Sequence, residues 1–251
     1  MVGLELFTEN LFSFVNMLGR RGDLLEMPSG SVAAFSGEPY AGENWALFTP
    51  RADTEELDTV MEFFRDYVEG GVPFIVPKIP GTTERFITAL EKYDLTVRKR
   101  YTAMRLAKSK TAAADEAIVE VNDDFCAAWA RAVWFGFGGS GNVTESYVDF
   151  ARTMLADKTN RLYSLNIDSR PVCTALVHRS ARASGLYYFS TLPDYRRRGI
   201  ARRLMNHIMR EEVTGGRGLV LLSTEEGKIF YRTYGFEPVA DIPVRSATDD
   251  I

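Results

Sequence analysis

The chain has 251 residues, of which 45% are hydrophobic and 25% are charged, and its formal net charge is -4 at pH 7. This composition is typical of a globular protein, and its acidic balance argues against a general nucleic-acid binder without excluding a local basic patch. The length allows one large domain or two small ones with ample core.

The start of the chain and its cysteines favour a cytoplasmic protein. Residues 1–18, "MVGLELFTENLFSFVNML", have early acids and no basic n-region, so we expect no signal peptide. The same residues predict an amphipathic helix with apolar residues on one broad face: Leu6, Leu11, Phe14, Val15 and Leu18. No apolar run is long enough to span a membrane. Cys126 and Cys173 form no disulfide or metal-ligand pattern, and we expect no metal.

The elements predicted for residues 19–106 alternate between strands and helices. In chain order they are strands "SVAAFSG" and "NWALFTP", helix "TEELDTVMEFFRDYV", strand "PFIVPKI", helix "TTERFITALEKY" and strand "TVRKRYTAMRL". Residues 107–117, "AKSKTAAADEA", are small and polar without apolar rhythm, which indicates a linker. We therefore predict two domains, residues 1–110 and 115–251.

The second domain begins with strand "AIVEV" and two helices, "FCAAWARAVWFGF" capped by Asp123 or Asp124 and "ESYVDFARTML" capped by Thr144. Strands "RLYSLNI", "VCTALVHRS" and "GLYYFSTL" follow, and a helix runs from Ile200 to about Val213. Strand "LVLLST", the short helix "EEGKIFYRTY" and a last strand from "GFEPVADIPV" complete the chain. This alternation with long connections predicts an α/β fold with a mixed sheet.

An arginine-rich turn, "RRRGIA" at Arg196–Ala201, lies between the third of these strands and the next helix. A helix N-terminus offers unpaired N–H groups and the positive end of the helix dipole, which together form an anion site. Gly199 lets the backbone approach a phosphate closely or take a positive φ. Arginines of the turn and the first helical turn, Arg203 included, can bind phosphate at the rim. The alternative is a basic turn that only caps a surface helix.

Two linked segments carry a family pattern. The first, "LPDYRRRGIARRLM", joins strand to helix through [QR]-x-x-G-x-[GA], and the second, "LVLLSTEEGKIFYRTYGFEPV", ends in Y-x-x-x-G-F. Together they resemble the pyrophosphate loop and the C-terminal segment of the GNAT superfamily of acyl-CoA N-acyltransferases. The resemblance spans residues 117–245 and is specific from about residue 185 to residue 240. It implies a GNAT fold with one active site in residues 115–251.

The resemblance also implies how acetyl-CoA, the expected cosubstrate, would be held. Backbone amides from Arg197 to Arg202 would bind its pyrophosphate. Thr191 and Leu192 would pair with the pantetheine arm and the acetyl carbonyl, and Thr224 would hydrogen-bond the pantetheine. The predicted cofactor-binding set is Thr191, Leu192, Arg196, Arg197, Arg198, Gly199, Ile200, Ala201, Arg202 and Thr224.

Tyr231 takes the place of the family's tyrosine that protonates the departing thiolate. A phenol with a free pKa of about 10 is protonated at neutral pH and can serve as a general acid. The alternative is that Tyr231 only packs in the core and that Tyr234 has the catalytic role. The strand "GLYYFSTL" carries no carboxylate, so we leave the general base unassigned; Glu225 and Glu226 are either candidates or solvated first-turn acids.

Other residues of the second domain suit structural roles better. The aromatic residues of "WFGFGGSGN", residues 134–142, either line an acceptor pocket or belong to the core. His178 and His207 are expected to be surface or half-buried residues, and Cys173 a small core residue.

The first domain repeats the element order of the second. Aligning the two places Tyr93 on Tyr234 and Leu90 on Tyr231, and it puts carboxylates where the arginines and glycine stand: Asp53, Glu55, Glu56 and Asp58. We hypothesise a degenerate GNAT-like repeat that has lost the cofactor loop and the tyrosine, and that completes the sheet or walls the acceptor site. The alternative is an unrelated α/β cap.

The function implied is an acetyl-CoA-dependent N-acetyltransferase acting on a primary amine of a small molecule or a peptide. Two other functions stay open at this point. One is a non-catalytic CoA-binding regulatory module. The other is a tRNA-dependent aminoacyl or peptidyl transferase on a paired GNAT-like fold, which would need the arginine cluster at residues 196–210 as its nucleic-acid surface. We expect neither a nucleic-acid nor a membrane partner, and leave a homodimer open.

Overall fold

The structure is a computed structural model that describes residues 2–20, 22–107, 115–214 and 217–249. Within these residues no helix has the length and apolar character needed to cross a membrane. Most of the predicted linker, residues 108–114, lies outside the described residues.

All the predicted helices and strands are present. In chain order the elements are α1 (Val2–Gly19), β1 (Asp23–Glu26), β2 (Val32–Phe35), β3 (Trp45–Leu47), α2 (Thr54–Glu69), β4 (Val76–Pro77), α3 (Glu84–Glu91), β5 (Thr96–Leu106), β6 (Ile118–Glu120), α4 (Asp123–Gly136), α5 (Glu145–Ala156), β7 (Asn160–Ile167), β8 (Arg170–Arg179), β9 (Ala183–Thr191), α6 (Ile200–Thr214), β10 (Gly218–Ser223), α7 (Glu225–Arg232) and β11 (Phe236–Ser246). Strand β1 was not predicted, because its sequence "DLLE" is short and does not alternate apolar with polar residues.

The chain forms two compact units. The first unit comprises Met1–Asn10, Met104–Leu222 and Phe230–Glu237, and the second comprises Leu11–Ala103, Ser223–Ile229 and Pro238–Ile251. The predicted domains 1–110 and 115–251 stay a prediction, because compactness does not tell which segments fold by themselves.

The first unit is built on a mixed sheet with the strand order β10-β9-β8-β7-β6. Strands β6 to β9 are antiparallel neighbours, whereas β9 and β10 are parallel and α6 connects them. The apolar face of α6 packs on alternate residues of β7 and β8, as the period of two in a strand requires. This arrangement confirms the predicted α/β class with a mixed sheet.

Strand β9 separates from β10 part of the way along its length. Their parallel register runs from the Ala183–Gly218 pair to the Leu186–Leu221 pair, while β9 stays paired with β8 as far as Thr191. The register with β8 shifts near Thr174, and Tyr188 has a φ of 47°. A bulge of this kind bends the strand. The end of β9 therefore presents a strand edge beside the start of α6.

The second unit contains an antiparallel sheet, β1-β2-β3, and a set of strands in the order β4-β11-β5. Helices α2 and α3 bury apolar side chains in its core, among them Phe64 and Leu90. Its predicted element order is found as β2, β3, α2, β4, α3 and β5. The repeat hypothesis stays a prediction, because element order alone does not establish common descent.

Helix caps agree with the prediction at one position and differ at another. Thr144 caps α5 by accepting a hydrogen bond from the Tyr147 amide, as predicted. The cap of α4 is Asn122, whose side chain accepts from the Phe125 amide, and not Asp123 or Asp124. Both aspartates lie in the first turn, where a negative charge favours the helix dipole.

Helix α1 is fixed to the first unit through one buried amide. Asn10 is 0% exposed, and its Nδ2 donates to the carbonyls of His178 and Ala183 and to Ser180 Oγ. The Tyr187 hydroxyl donates to Asn10 Oδ1 at 2.9 Å. One side chain therefore satisfies four polar groups at the β8–β9 turn and on β9.

We expect Asn10→Ala to lower the free energy of unfolding by about 2–4 kcal/mol, because it leaves several buried polar groups without partners. Urea unfolding measures this loss. Asn16→Ala is the matched control on the same helix, since its Nδ2 makes one part-buried bond to the Phe12 carbonyl. Equal losses in the two variants would contradict the role given to Asn10.

Candidate functional site

The arginine-rich turn is held in an unusual backbone conformation. A short 3-10 turn, Pro193–Tyr195, leads into it from β9. Arg197 has a φ of 60° and Gly199 a φ of 77°. Two left-handed residues, separated by Arg198, therefore come directly before α6. A left-handed arginine is strained, and such strain concentrates at ligand sites. Turns of this kind also curl successive N–H groups into a concave anion site.

Helix α6 begins without a side-chain cap. Its first intrahelical hydrogen bond runs from the Arg203 amide to the Gly199 carbonyl, so a residue without a side chain occupies the capping position. The amides ahead of this bond have no partner inside the helix. The cap residues of five other helices use a side-chain oxygen: Asp53, Thr83, Asn122, Thr144 and Thr224. The capping residue of α6 therefore offers no side-chain acceptor to the N-terminal amides of this helix.

These amides face an open pocket of about 360 Å³. It is lined by Thr191, Tyr195, Arg196, Arg197, Gly199, Ile200, Ala201, Arg202, Phe230, Thr233 and Tyr234. Most of the predicted cofactor-binding residues therefore come together, whereas Leu192, Arg198 and Thr224 do not line the pocket.

Two of the predicted arginines are available to an anion in this pocket. Arg197 and Arg202 are exposed, and their side chains make no hydrogen bond or ion pair within the described part of the chain. Arg198 instead lies over the Tyr195 ring, with its Cζ 5.5 Å from the centroid. Arg203 is held by Asp115 in a two-point ion pair at 2.5 and 2.7 Å, and its guanidinium lowers the pKa of that carboxyl.

Tyr231 lies among aromatic rings beside β9. Its ring is 6.2 Å from that of Phe189, 5.3 Å from Phe230 and 5.7 Å from Phe236. Burial, with a smaller effect of Cys173, raises the pKa of Tyr231 above that of a free phenol. The phenol is therefore protonated throughout the neutral range and can donate a proton or a hydrogen bond.

The sequence of the segment that holds this site matches a family model. Residues 158–238 match the model described as "Acetyltransferase (GNAT) domain". This segment is therefore similar to GNAT acetyltransferase domains. Among curated proteins, none matches the chain.

Solved structures with the GNAT fold resemble nearly the whole chain. A GCN5-related N-acetyltransferase from Kribbella flavida has a TM-score of 0.65 at 14% identity, with 95% of each chain covered. One from Sphaerobacter thermophilus has a TM-score of 0.59 at 17% identity, covering 89% of this chain and 79% of its own. A GNAT-family acetyltransferase from Colwellia psychrerythraea has a TM-score of 0.53 at 12% identity, covering 98% and 94%. At these identities the likeness is one of fold, and the predicted GNAT fold is confirmed.

Arg196, the first residue of the loop motif, makes structural hydrogen bonds that were not predicted, and its binding of a cofactor stays a prediction. Its Nε donates to the Thr191 carbonyl at 3.0 Å and its Nη2 to the Gly136 carbonyl at 2.8 Å. Gly136 ends α4, and a Cβ there would collide with Ser190 of β9. Arg196 therefore joins the end of α4 to the end of β9 through its hydrogen bonds to two backbone carbonyls.

We expect Arg196→Ala to lower the stability of the protein and Arg202→Ala to leave it unchanged. Arg196→Ala should cost about 1 kcal/mol of stability through the two lost hydrogen bonds, whereas Arg202→Ala removes a side chain without a protein partner and should leave stability unchanged. Thermal unfolding measures both. A loss of stability in Arg202→Ala equal to that in Arg196→Ala would contradict the bracing role.

The backbone of the strand end also restricts the predicted pairing with a ligand. The Leu192 amide donates to the Val172 carbonyl at 3.0 Å, so this amide is already paired within the protein, and the pairing of Leu192 with a ligand stays a prediction. Thr191 lies opposite Cys173 of β8, and the Thr191 carbonyl accepts a hydrogen bond from Arg196. Because polar groups alternate in direction along an antiparallel strand, the Thr191 amide points away from β8 toward the open edge. Pairing with a ligand at this amide stays a prediction.

Thr224 caps α7 in the second unit. Its Oγ1 accepts from the Gly227 amide at 3.1 Å, and its carbonyl accepts from Lys228. A cap at this position was not foreseen, although threonine followed by two acids is a typical helix start. The predicted bond to pantetheine stays a prediction.

The aromatic residues and histidines considered in the sequence analysis have contacts of their own within the protein. Trp134 packs on Tyr147 and donates to the Ser140 carbonyl, while Phe135 and Phe137 are 38% and 65% exposed. His178 is buried against Asn160 Oδ1. His207 packs on Tyr163, and burial together with Arg210 lowers its pKa. Neither histidine lines the pocket.

Neither a thiol nucleophile nor a metal centre is found in the described residues. Cys173 is buried next to Thr191 Oγ1, and burial raises its pKa to about 11, so it stays a protonated core thiol. Over the same residues, no three His, Cys, Asp or Glu side chains are grouped so as to hold a metal ion. Glu225 pairs with Lys228 at 2.6 Å, and Glu226 is solvent-exposed in the first turn of α7.

Proposed function

We propose that this protein is an acetyl-CoA-dependent N-acetyltransferase that acetylates a primary amine of a small molecule or a peptide. The observation that carries the proposal is the uncapped start of α6, with its left-handed turn, at the pocket of a GNAT domain. Backbone amides, two unpaired arginines and a glycine without a Cβ fit a pyrophosphate, which offers only acceptor oxygens and negative charge.

The residues that would hold acetyl-CoA follow from this fit. The amides from Arg197 to Arg202 and the side chains of Arg197 and Arg202 would bind its phosphates. A Cβ on Gly199 meets no protein atom within 4 Å, so the space above this residue is free for a ligand. The Thr191 amide, at the open edge of β9, would pair with the arm that leads to the thioester.

When bound, acetyl-CoA supplies an activated acyl group on a thiol. Tyr231 holds a proton on its Oη, because its pKa is raised. A thiol has a pKa of about 8.5, below that of this phenol, so Tyr231 stabilises the departing sulfur mainly by donating a hydrogen bond. Edge amides of β9 can donate to the acyl oxygen as negative charge grows there.

The acceptor amine has to be neutral before it reacts. No carboxylate lies on β9, and Glu225 and Glu226 are exposed in the first turn of α7. We propose that the amine loses its proton to water before it binds, so that this chain needs no dedicated base.

The ion pairs on α6 do not favour a tRNA-dependent transferase. Such an enzyme needs a continuous cationic surface for a polyanion. Asp115 neutralises Arg203, and Glu211 pairs with Arg210 at 2.8 Å. The unpaired cations that remain at the start of α6 suit a compact pyrophosphate.

A titration of the purified protein with acetyl-CoA, followed by thiol release in the presence of an amine panel, tests this proposal. Micromolar-range binding together with amine-dependent thiol release supports an N-acetyltransferase. Binding without turnover across the panel points to the regulatory module. No binding would overturn both.

A further inference from the structure

The open edge at the end of β9 is held by an arginine side chain. Beyond Leu186, β8 is the paired neighbour of β9, so the polar groups of Thr191, which point away from β8, face the open edge. Arg196 Nε donates to the Thr191 carbonyl at this edge, at 3.0 Å. The Thr191 amide lies on the same side of the strand as its carbonyl. Arg196 therefore fixes the residue whose amide would pair with a ligand.

The same guanidinium holds the end of α4. Arg196 Nη2 donates to the Gly136 carbonyl at 2.8 Å. Because α4 has no basic residue in its own last turn, Arg196 supplies the cation that suits the negative end of the helix dipole. A Cβ on Gly136 would collide with Ser190 Oγ and would lie 3.8 Å from the Thr191 nitrogen. The end of α4 thus packs directly against the end of β9.

The guanidinium is well suited to this double contact. Nε and Nη2 lie on one edge of a rigid planar group, so they hold two acceptors at a fixed spacing. One acceptor belongs to a helix that is anchored in the core by Trp129 and Val133, which are both 1% exposed. The other belongs to a strand end that is paired on one side. Arg196 therefore ties the less supported element to the firmer one.

We propose that Arg196 is a positioning residue for acyl transfer, which places the edge of β9 where the thioester arm of acetyl-CoA lies. The inference rests on the proposed function for the reaction and the ligand. Arg196 acts through Thr191, while the amides and side chains that follow it in the turn bind the phosphates. A misplacement of about 1 Å can cost on the order of 100-fold in rate, so this support affects turnover.

The test measures kcat and cosubstrate affinity in Arg196→Ala. Thiol-release kinetics with an amine that the wild type acetylates give kcat, and calorimetric titration with acetyl-CoA gives the affinity. We expect kcat to fall about tenfold to 100-fold and the dissociation constant to stay within about threefold of the wild-type value. Arg196→Lys keeps the charge but lacks the planar fork, so its kcat should also be low. The lysine variant carries the test if Arg196→Ala does not fold.

Asn122→Ala is the matched control for lost stability. Asn122 caps the opposite end of α4 through one hydrogen bond from the Phe125 amide, so its removal weakens the same helix far from Gly136. Its thermal midpoint should fall to a degree similar to that of Arg196→Ala. Below both midpoints, however, its kcat should equal that of the wild type. A merely structural Arg196 would leave both variants with the wild-type kcat.

Several outcomes would overturn the inference while leaving the proposed function intact. A wild-type kcat in Arg196→Ala or Arg196→Lys would show that the two-point contact does not support turnover. An unchanged kcat with a large loss of affinity in Arg196→Ala would make the arginine a binding residue. An equal loss of kcat in Asn122→Ala would assign the effect to a weakened helix. Failure of the wild type to bind acetyl-CoA, or to release thiol with any amine, would overturn the proposed function and this inference with it.

Discussion

Gly199→Glu should lower the affinity for acetyl-CoA at least about 100-fold, and Gly199→Ala about fivefold to tenfold. Gly199 has a φ of +77°, so any side chain strains the backbone there, and this strain accounts for the alanine effect. Glutamate adds a carboxylate beside the uncapped amides of α6, where it repels a phosphate and can bond to the amides in its place.

Calorimetric titration with acetyl-CoA measures both variants. Gly141→Glu is the matched control, because Gly141 has a φ of +71° and also has no protein atom near its Cβ position, yet it lies outside the pocket lining. It should lose stability to a similar degree and keep its affinity. If Gly141→Glu loses affinity as Gly199→Glu does, the effect comes from a weakened fold and not from the anion site.

Tyr231→Phe should lower kcat about 100-fold to 1000-fold while leaving the affinity for acetyl-CoA within about twofold. The phenylalanine keeps the packing with Phe189, Phe230 and Phe236 and removes only the donor. Thiol-release kinetics with a responsive amine measure kcat and KM separately.

The pH dependence gives Tyr231 a second test. Its pKa is raised, so the protonated form persists beyond pH 10, the usual value of a free phenol. Any stability linked to this group is complete below that pH and is lost only as the pH rises through the higher folded value. We therefore expect no fall in kcat between pH 7 and 9. A fall in the wild type that is absent from Tyr231→Phe would show that the tyrosine ionises in this range.

Local sequence patterns were sufficient to predict the part of the site whose residues lie in one continuous stretch of chain. The strand, the turn with Gly199 and helix α6 follow one another, so periodicity and a single glycine were enough to predict an anion site there. The role of Tyr231 came from the family resemblance, through its spacing to Gly235, and it stays a prediction. The start of α6 lies at an open pocket, and its use as an anion site stays a proposal.

Contacts between distant residues were not predictable from those patterns. Arg196 belongs to the loop motif, but its donors are taken by Gly136, 60 residues earlier, and by the end of β9. Asn122 competes with two neighbouring aspartates for the cap of α4, and only the turn geometry decides between them. The buried, unpaired hydroxyl of Tyr234 is likewise a result of tertiary packing, which no local sequence signal describes.

The attachment of α1 through Asn10 also sets an order of events during synthesis. The chain segments that accept its hydrogen bonds lie 168 to 173 residues further along. Because a ribosome adds on the order of 5–20 residues per second, α1 waits roughly ten seconds or more before its partners exist. Contacts of such long sequence separation form slowly even then. The first unit therefore cannot complete its packing around Asn10 until the β8–β9 segment has been synthesised.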